Sequence, residues 1–329
     1  LFTGCDDYLK EDSGDLLIPG KVEEFLPMLY REGFPRNFND EVAWLYLMTD
    51  DVEMGQLELD PEDEANDTRD KNSSDAFNVG EGEEPYKWER EIKSYADNFW
   101  ERRYGNILAC NLVIDALPEM EYVEADSGNY NFLAAQAYAL RAYNYWCLVN
   151  SYALPWSKEN LDKPGVIIRM EPQINISPRG RSSIRGGYDL INEDIEKAEK
   201  YINIATFDGN IHRLSEPAIL LLASRIALFQ ENWDEVIRTG KLFLAQNSVI
   251  LNLNDQDTTL FGTEKGLSNK IFTMMDGTIN KEVVFTFGTQ SYSPYQYLST
   301  TGALYGLGFR PSHSTDESLI RSYEEGDLR

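Results

Sequence analysis

Residues 131–156, NFLAAQAYALRAYNYWCLVNSYALPW, limit the fold more than any other stretch. From Asn131 to Tyr152 the chain is rich in Ala, Leu and aromatic residues and holds no glycine or proline. Ala134, Tyr138, Arg141, Ala142, Tyr145, Leu148, Val149 and Tyr152 recur at steps of three and four, which sets them on one helical face. The helix is nearly apolar all round, so other helices must enclose it. Its alanines let neighbouring backbones approach, and its aromatics fill the gaps between them. Pro155 disfavours the α region for Leu154 and predicts the helix end just before Ala153-Leu154-Pro155-Trp156. Arg141 falls on the apolar face, where an unpaired charge is strongly destabilising. It is expected to bond helix-end carbonyls or a carboxylate.

The remaining segments read mostly as helices. One or two amphipathic helices are expected between Lys21 and Asp51, around Phe25–Tyr30 and Glu41–Met48. From Ile92, the residues Tyr95, Phe99, Trp100, Tyr104, Ile107, Leu108, Leu112 and Asp115 step through a helix closed by Pro118. The polar loop Glu121–Tyr130 is short, so this helix should lie antiparallel to the next. Residues 157–186 form a connector with Pro164, Pro172 and Pro178. After Gly186-Gly187, Tyr188, Ile191, Ile195, Ala198 and Ile202 resume the helical period, with acids and lysines on the other side. The chain turns over Gly209–Arg213. Ser215 then caps a helix carrying Pro217 in its first turn, and Asn232-x-x-Glu235 opens another as a capping box. These hairpins resemble a degenerate tetratricopeptide stack without the strict period of about 34 residues. Glu282–Phe287 reads as a short β-like run, and Arg310-Pro311-Ser312 introduces a last helix, Thr315 to Tyr323. The expected class is therefore all-α: a tetratricopeptide-like helical hairpin stack, about 92–247, with long irregular loops and a few short strands.

Charge excludes several functions. The 329 residues carry a formal net charge of −26, which repels phosphate backbones and gives no support to nucleic-acid binding. It also disfavours adsorption to anionic lipid. No apolar run approaches the roughly 20 residues that span a bilayer. The 19 tyrosines and 6 tryptophans fit a core, and equally a sugar-binding surface, since pyranose C–H faces stack on aromatic rings.

Leu1-Phe2-Thr3-Gly4-Cys5 resembles the end of a lipoprotein signal peptide, followed by an acidic tether over residues 5–20. On this expectation Cys5 is acylated and anchors the chain to a membrane. The chain starts without Met, so an upstream segment is expected. Cys110 and Cys147 lie in apolar helical stretches and are expected as buried free thiols. Spacing alone leaves a disulfide between them open. His212 and His313 are the only histidines, so no zinc ligand set is expected, and no cofactor motif appears. The acid-rich segment 50–70 invites calcium, but it lacks a D-x-[DN]-x-[DN]-G loop and reads as solvated.

Several motifs, in order, resemble the SusD/RagB family of outer-membrane lipoproteins. AQAYALRAYNYWCLVNSYALPW is similar to that family's helix A-x-F-L-R-A-x-x-Y-F-x-L-V-x-x-Y-G-x-x-P through Arg141, Ala142, Tyr145, Leu148, Val149, Tyr152 and Pro155. Leu154 stands where a charged residue is usual. Trp100, Tyr104, Ile107 and Asn111 match a W-x-x-x-Y-x-x-I-x-x-x-N segment. GYDLINEDIEKAEKYI, RLSEPAILLLASRIALFQENWDEVI, EVVFTF and RPSHSTDESLIRSYEEGDLR resemble further family segments. The resemblance implies a SusD-like domain over 21–329 lacking its C-terminal part. It implies a cell-surface, non-enzymatic lipoprotein that captures oligosaccharide or polysaccharide for a SusC-like TonB-dependent transporter. It assigns Trp100, Tyr104, Asn111, Arg141, Tyr145 and Tyr152 to the scaffold. Glycan contacts are expected from loop residues: the aromatics Tyr86, Trp88, Tyr292, Tyr295, Tyr297 and Tyr305, with Asp50, Asp51, Arg69 and Asn78 bonding hydroxyls. Two other classes compete. A tetratricopeptide adaptor binding peptide would show a regular period. An all-α glycoside hydrolase would need two opposed carboxylates about 5–10 Å apart, and among 56 acids no local motif fixes a pair.

Overall fold

The computed structural model describes residues 21–35, 48, 52–54, 84, 86–91, 99–120, 122–172, 177–250, 281–286 and 309–311. Six helices lie among these residues: α1 (Val22–Glu32), α2 (Phe99–Ala116), α3 (Ser127–Tyr152), α4 (Ile184–Ile202), α5 (Glu216–Phe229) and α6 (Trp233–Gln246). Two three-residue strands, β1 (Val52–Met54) and β2 (Phe309–Pro311), pair antiparallel with Glu53 opposite Arg310. The described residues are mostly helical, as expected. It divides into two compact units, one of Leu1–Gly33, Asn106–Gly209 and Leu222–Val236, the other of Phe34–Gly105, Asn210–Leu221 and Ile237–Arg329.

In the first unit, α3 is the buried centre. Ala134, Arg141, Ala142, Tyr145, Leu148 and Val149 are buried, as their spacing requires, while Tyr138 and Tyr152 are half-buried. The helix ends at Tyr152, where Pro155 predicts. It begins at Ser127, inside the expected loop 121–130, after a 3-10 turn over Glu124–Asp126. A Cβ at Gly128 would collide with Thr206, whose N–H bonds the Gly128 carbonyl at 3.1 Å. Glycine there lets the chain leaving α4 cross the start of α3.

Side-chain bonds fix the helix directions. Asn106 donates to Asn144 at 3.3 Å, Arg141 donates to Asn111 at 2.9 Å, and Tyr130 donates to the Leu117 carbonyl at 3.1 Å. Rising numbers on α2 meet falling numbers on α3, so the pair is antiparallel. On α4, Tyr188 donates to Asn150 and Asp194 accepts from Arg141, while Tyr201 stacks on Tyr138. That pair is antiparallel too. α4 buries Tyr188, Ile191, Ile195, Ala198 and Ile202, the predicted stripe.

One boundary differs from the sequence expectation here. Helix α4 begins at Ile184 rather than after Gly187, because the Ser183 hydroxyl caps it, accepting from the Gly186 N–H at 3.1 Å. Gly187 is a contact residue instead of a breaker: a Cβ there would lie 3.2 Å from Val149 Cγ2. The acids are not all on the far side either, since Asp194 is fully buried. The connector before α4 is irregular but pinned. Gly165 N–H donates to the Ser182 carbonyl and Ser182 N–H to the Val166 carbonyl, Pro164 bridges Ser183, and Arg181 donates to the carbonyls of Tyr152 and Gly165. Within this unit α5 closes through a left-handed Glu231 (φ 55°). Asn232 N–H bonds the Ala227 carbonyl and Glu231 N–H the Leu228 carbonyl, a Schellman ending. Asn232 then caps α6 by accepting from Glu235 N–H at 3.3 Å, as the N-x-x-E pattern requires.

In the second unit, Ser215 caps α5 by accepting from Ala218 N–H at 3.3 Å, and Gln246 donates to Glu216 at 2.7 Å. Gly209 ends the first unit at φ 79°, where the sequence placed a turn. Residues 283–286 of the expected β-like run are not a strand; Thr286 N–H bonds the Ile211 carbonyl at 2.9 Å and His212 Nδ1 sits 3.1 Å from the Thr286 carbonyl. The strands form elsewhere: β1 lies inside the segment 50–88 read as loop, and β2 takes in Arg310 and Pro311, read as the lead into the helix 315–323. Helix 41–48 apart from Met48, residues 92–98, Phe287 and helix 315–323 lie outside the described residues.

Candidate functional site

Of the ten residues expected at a glycan site, Trp88 and Tyr86 are described; Asp50, Asp51, Arg69, Asn78, Tyr292, Tyr295, Tyr297 and Tyr305 lie outside the described residues, as does Cys5. Trp88 is 66% exposed. Tyr86, expected as exposed, is half-buried, so it supports the turn more than it presents a face. Trp88 also has φ 55°, a left-handed conformation that is an outlier for a bulky residue and costs about 1–2 kcal/mol. The Glu89 N–H bonds the Glu84 carbonyl at 3.0 Å, the six-to-one bond of a helix ending in which the left-handed position is normally glycine. A tryptophan held there keeps its indole out of the helical path and in solvent. Backbone strain of this kind clusters at ligand-binding positions.

The residues assigned to the scaffold behave as one. Arg141 is buried and holds Asp194 by two bonds, Nε to Oδ2 at 2.8 Å and Nη2 to Oδ1 at 2.7 Å. Its third bond goes to Asn111, whose amide donates to the carbonyls of Arg169 and Glu171 at 3.0 and 3.2 Å. The Tyr145 hydroxyl donates to the Arg169 carbonyl and accepts from the Arg169 N–H, at 2.7 and 2.8 Å. The network ties α2, α3, α4 and the connector. Burial raises the Asp194 carboxyl, opposed by the guanidinium bonded to it. Burial works against the Arg141 charge as well, but the Asp194 carboxylate more than offsets it and the Arg141 pKa is raised. The bidentate geometry favours the ionised pair. Of the two expected kinds of partner for Arg141, helix-end carbonyls or a carboxylate, the structure has the carboxylate of Asp194. The signal was present, since Asp194 stands three residues after Ile191 and four before Ala198, on the apolar stripe itself.

Cys110 and Cys147 are both free. Burial pushes the Cys110 thiol up to about 12, which keeps it protonated and inert. Cys147 is half-buried rather than buried. Trp100 and Tyr104 pack on one another in the second unit, centroids 4.9 Å apart.

Comparison with known proteins places this arrangement. Residues 34–228, more than half of the chain, match the model of the SusD-like family described as starch-binding and associating with the outer membrane. The chain belongs to the SusD-like family. Over 158 residues it is 25% identical to SusD-like protein P38 of Formosa agariphila, covering 47% of this chain and 27% of that protein. Its fold superposes on a SusD-like carbohydrate binding protein from Bacteroides vulgatus with a TM-score of 0.51 at 19% identity, covering 72% of this chain and 47% of the other. A SusD superfamily protein from the same species gives 0.54 at 17% identity, covering 73% and 50%. The chain therefore spans about half the length of these solved structures and about a quarter of the Formosa protein. The shared fold accounts for the helical hairpins.

Proposed function

We propose that this chain is the glycan-capturing part of a cell-surface lipoprotein, tethered through lipid on Cys5, that passes oligosaccharides to a SusC-like TonB-dependent transporter. It captures without catalysis. The observation that carries the reading is Trp88: within a chain of a family described as starch-binding, an exposed indole is fixed by a strained turn that keeps it in solvent. Stacking on such a ring is worth about 1–3 kcal/mol by analogy with nucleobases. Two or three rings then suffice for micromolar to millimolar affinity, and Tyr86, Tyr292, Tyr295, Tyr297 and Tyr305 are the further aromatics proposed. Asp50, Asp51, Arg69 and Asn78 are proposed to bond sugar hydroxyls. No described helix is long and apolar enough to cross a membrane, and the lipid on Cys5 is proposed as the membrane contact.

Native gel electrophoresis of the 329-residue chain through gels containing soluble starch, xylan, mannan, galactan or pectin tests the reading. The chain is expected to be retarded in at least one gel and Trp88→Ala to migrate there like an unretarded control. Equal retardation of the variant would remove Trp88 from the site.

A further inference from the structure

Four tyrosines of the first unit stack in two pairs, one ring of which, Tyr138, also lies 5.6 Å below the Arg141 guanidinium carbon. Tyr122, before α3, stacks on Tyr130 at its start, with centroids 4.4 Å apart and planes 21° apart. Tyr138, two turns along α3, lies parallel to Tyr201 of α4 at 5.9 Å and 5°. Next to Tyr130, the Asn131 amide donates to the Ile204 carbonyl at 3.5 Å and the Gly128 carbonyl accepts from Thr206 N–H at 3.1 Å, so the end of α4 that carries Tyr201 lies beside the start of α3. Lys197 Nζ stands 5.3 Å over the Tyr138 ring.

The exposure and bonding of these rings differ from those of core aromatics. Buried tyrosines generally find a hydroxyl partner, as Tyr145 does with Arg169. Tyr130 bonds the Leu117 carbonyl, whereas the hydroxyls of Tyr122, Tyr138 and Tyr201 have no hydrogen-bond partner among the described residues. Tyr122 is 45% exposed, and Tyr130, Tyr138 and Tyr201 are half-buried. Eight residues separate Tyr130 from Tyr138 on one helix, about 12 Å at the helical rise, room for more than one pyranose. Aromatic surface edged by unbonded hydroxyls, with the Lys197 ammonium held beside it by Glu193 at 2.6 Å, matches a sugar chain, whose C–H groups pack on rings while its hydroxyls exchange hydrogen bonds.

We propose that Tyr122, Tyr130, Tyr201 and Tyr138 form a second carbohydrate-binding strip, on the helical scaffold, that takes a linear oligosaccharide chain. The proposal rests on this chain binding glycans at all, and Trp88 keeps the two questions apart. In the retarding gel, Tyr122→Ala is expected to weaken affinity by about fivefold or more with an unchanged melting midpoint. Should the alanine variant melt early, Tyr122→Leu, which keeps apolar bulk without a flat face, gives the reading instead, and loss of retardation supports the strip. Wild-type retardation in both Tyr122 variants overturns the strip, and with Trp88→Ala impaired it leaves the glycan-binding function standing. A wild-type chain retarded in no gel overturns both. Loss in Tyr122→Ala with Trp88→Ala unchanged keeps the strip and removes Trp88.

Discussion

At the scale of single residues, the Arg141–Asp194 pair has the highest stakes. Both side chains are almost fully buried, at 2% and 0% exposure. Removing one partner leaves the other charge without compensation, which costs about 3–5 kcal/mol. Asp194→Asn should therefore lower the unfolding free energy measured in urea by that amount, whereas the double change Arg141→Met, Asp194→Leu should recover most of it. A single variant as stable as wild type would mean that the pair is dispensable. The sequence exposed one half of this arrangement, since Arg141 stands among alanines and aromatics where an unpaired charge could not remain. The other half was hidden by habit of reading: an acid among Glu193, Glu196 and Glu199 passes for part of a solvated face unless its own spacing from Ile191 and Ala198 is counted. Trp88 was legible as a loop aromatic, but its left-handed backbone was not, because tryptophan is among the last residues a sequence pattern would place there.

At the scale of elements, α3 and α4 are in close contact where Gly187 meets Val149. Alanine at 187 would gain roughly 1 kcal/mol of helix preference over glycine, while Val149 Cγ2, 3.2 Å from the new Cβ, must give by a few tenths of an ångström. The two effects should nearly cancel. Gly187→Leu has no such balance and should destabilise by about 1–3 kcal/mol through overpacking, measured by thermal or urea unfolding. A leucine variant as stable as wild type would show that the helices can part there. Glycine pairs signal breaks in many sequences, which is why Gly186-Gly187 read as the end of a connector. Ser183, three residues ahead of Gly186, was the better guide to the start of α4. The hairpin from α5 to α6 was legible from its capping residues alone, because Ser215 and Asn232 act on backbone groups close in sequence. Strands β1 and β2 were not, since their pairing joins residues 52–54 to residues 309–311 and no local pattern records a partner so distant.

At the scale of the whole molecule, helical class and order followed from periodicity, and family membership rests on residues 34–228. The eight candidate ligand residues outside the described parts lie in segments without helical period, where sequence offers composition and little else. Within the first unit, however, irregular chain is not loose chain. The connector between α3 and α4 is held at Asn111, Tyr145 and Tyr152 through its own backbone groups and through Arg181, and its ends are laced together at Pro164 and Ser183. A protease needs several consecutive residues to peel away before it can cut. Limited trypsin digestion read by mass spectrometry should accordingly show few early ends at Arg179, Arg181 or Arg185, exposed though these arginines are, and prompt nicking there would contradict the lacing. Such a splice gives α3 and α4 a fixed spacing without a short turn, so shortening this segment in the hope of trimming slack would pull on the middle of the helical stack.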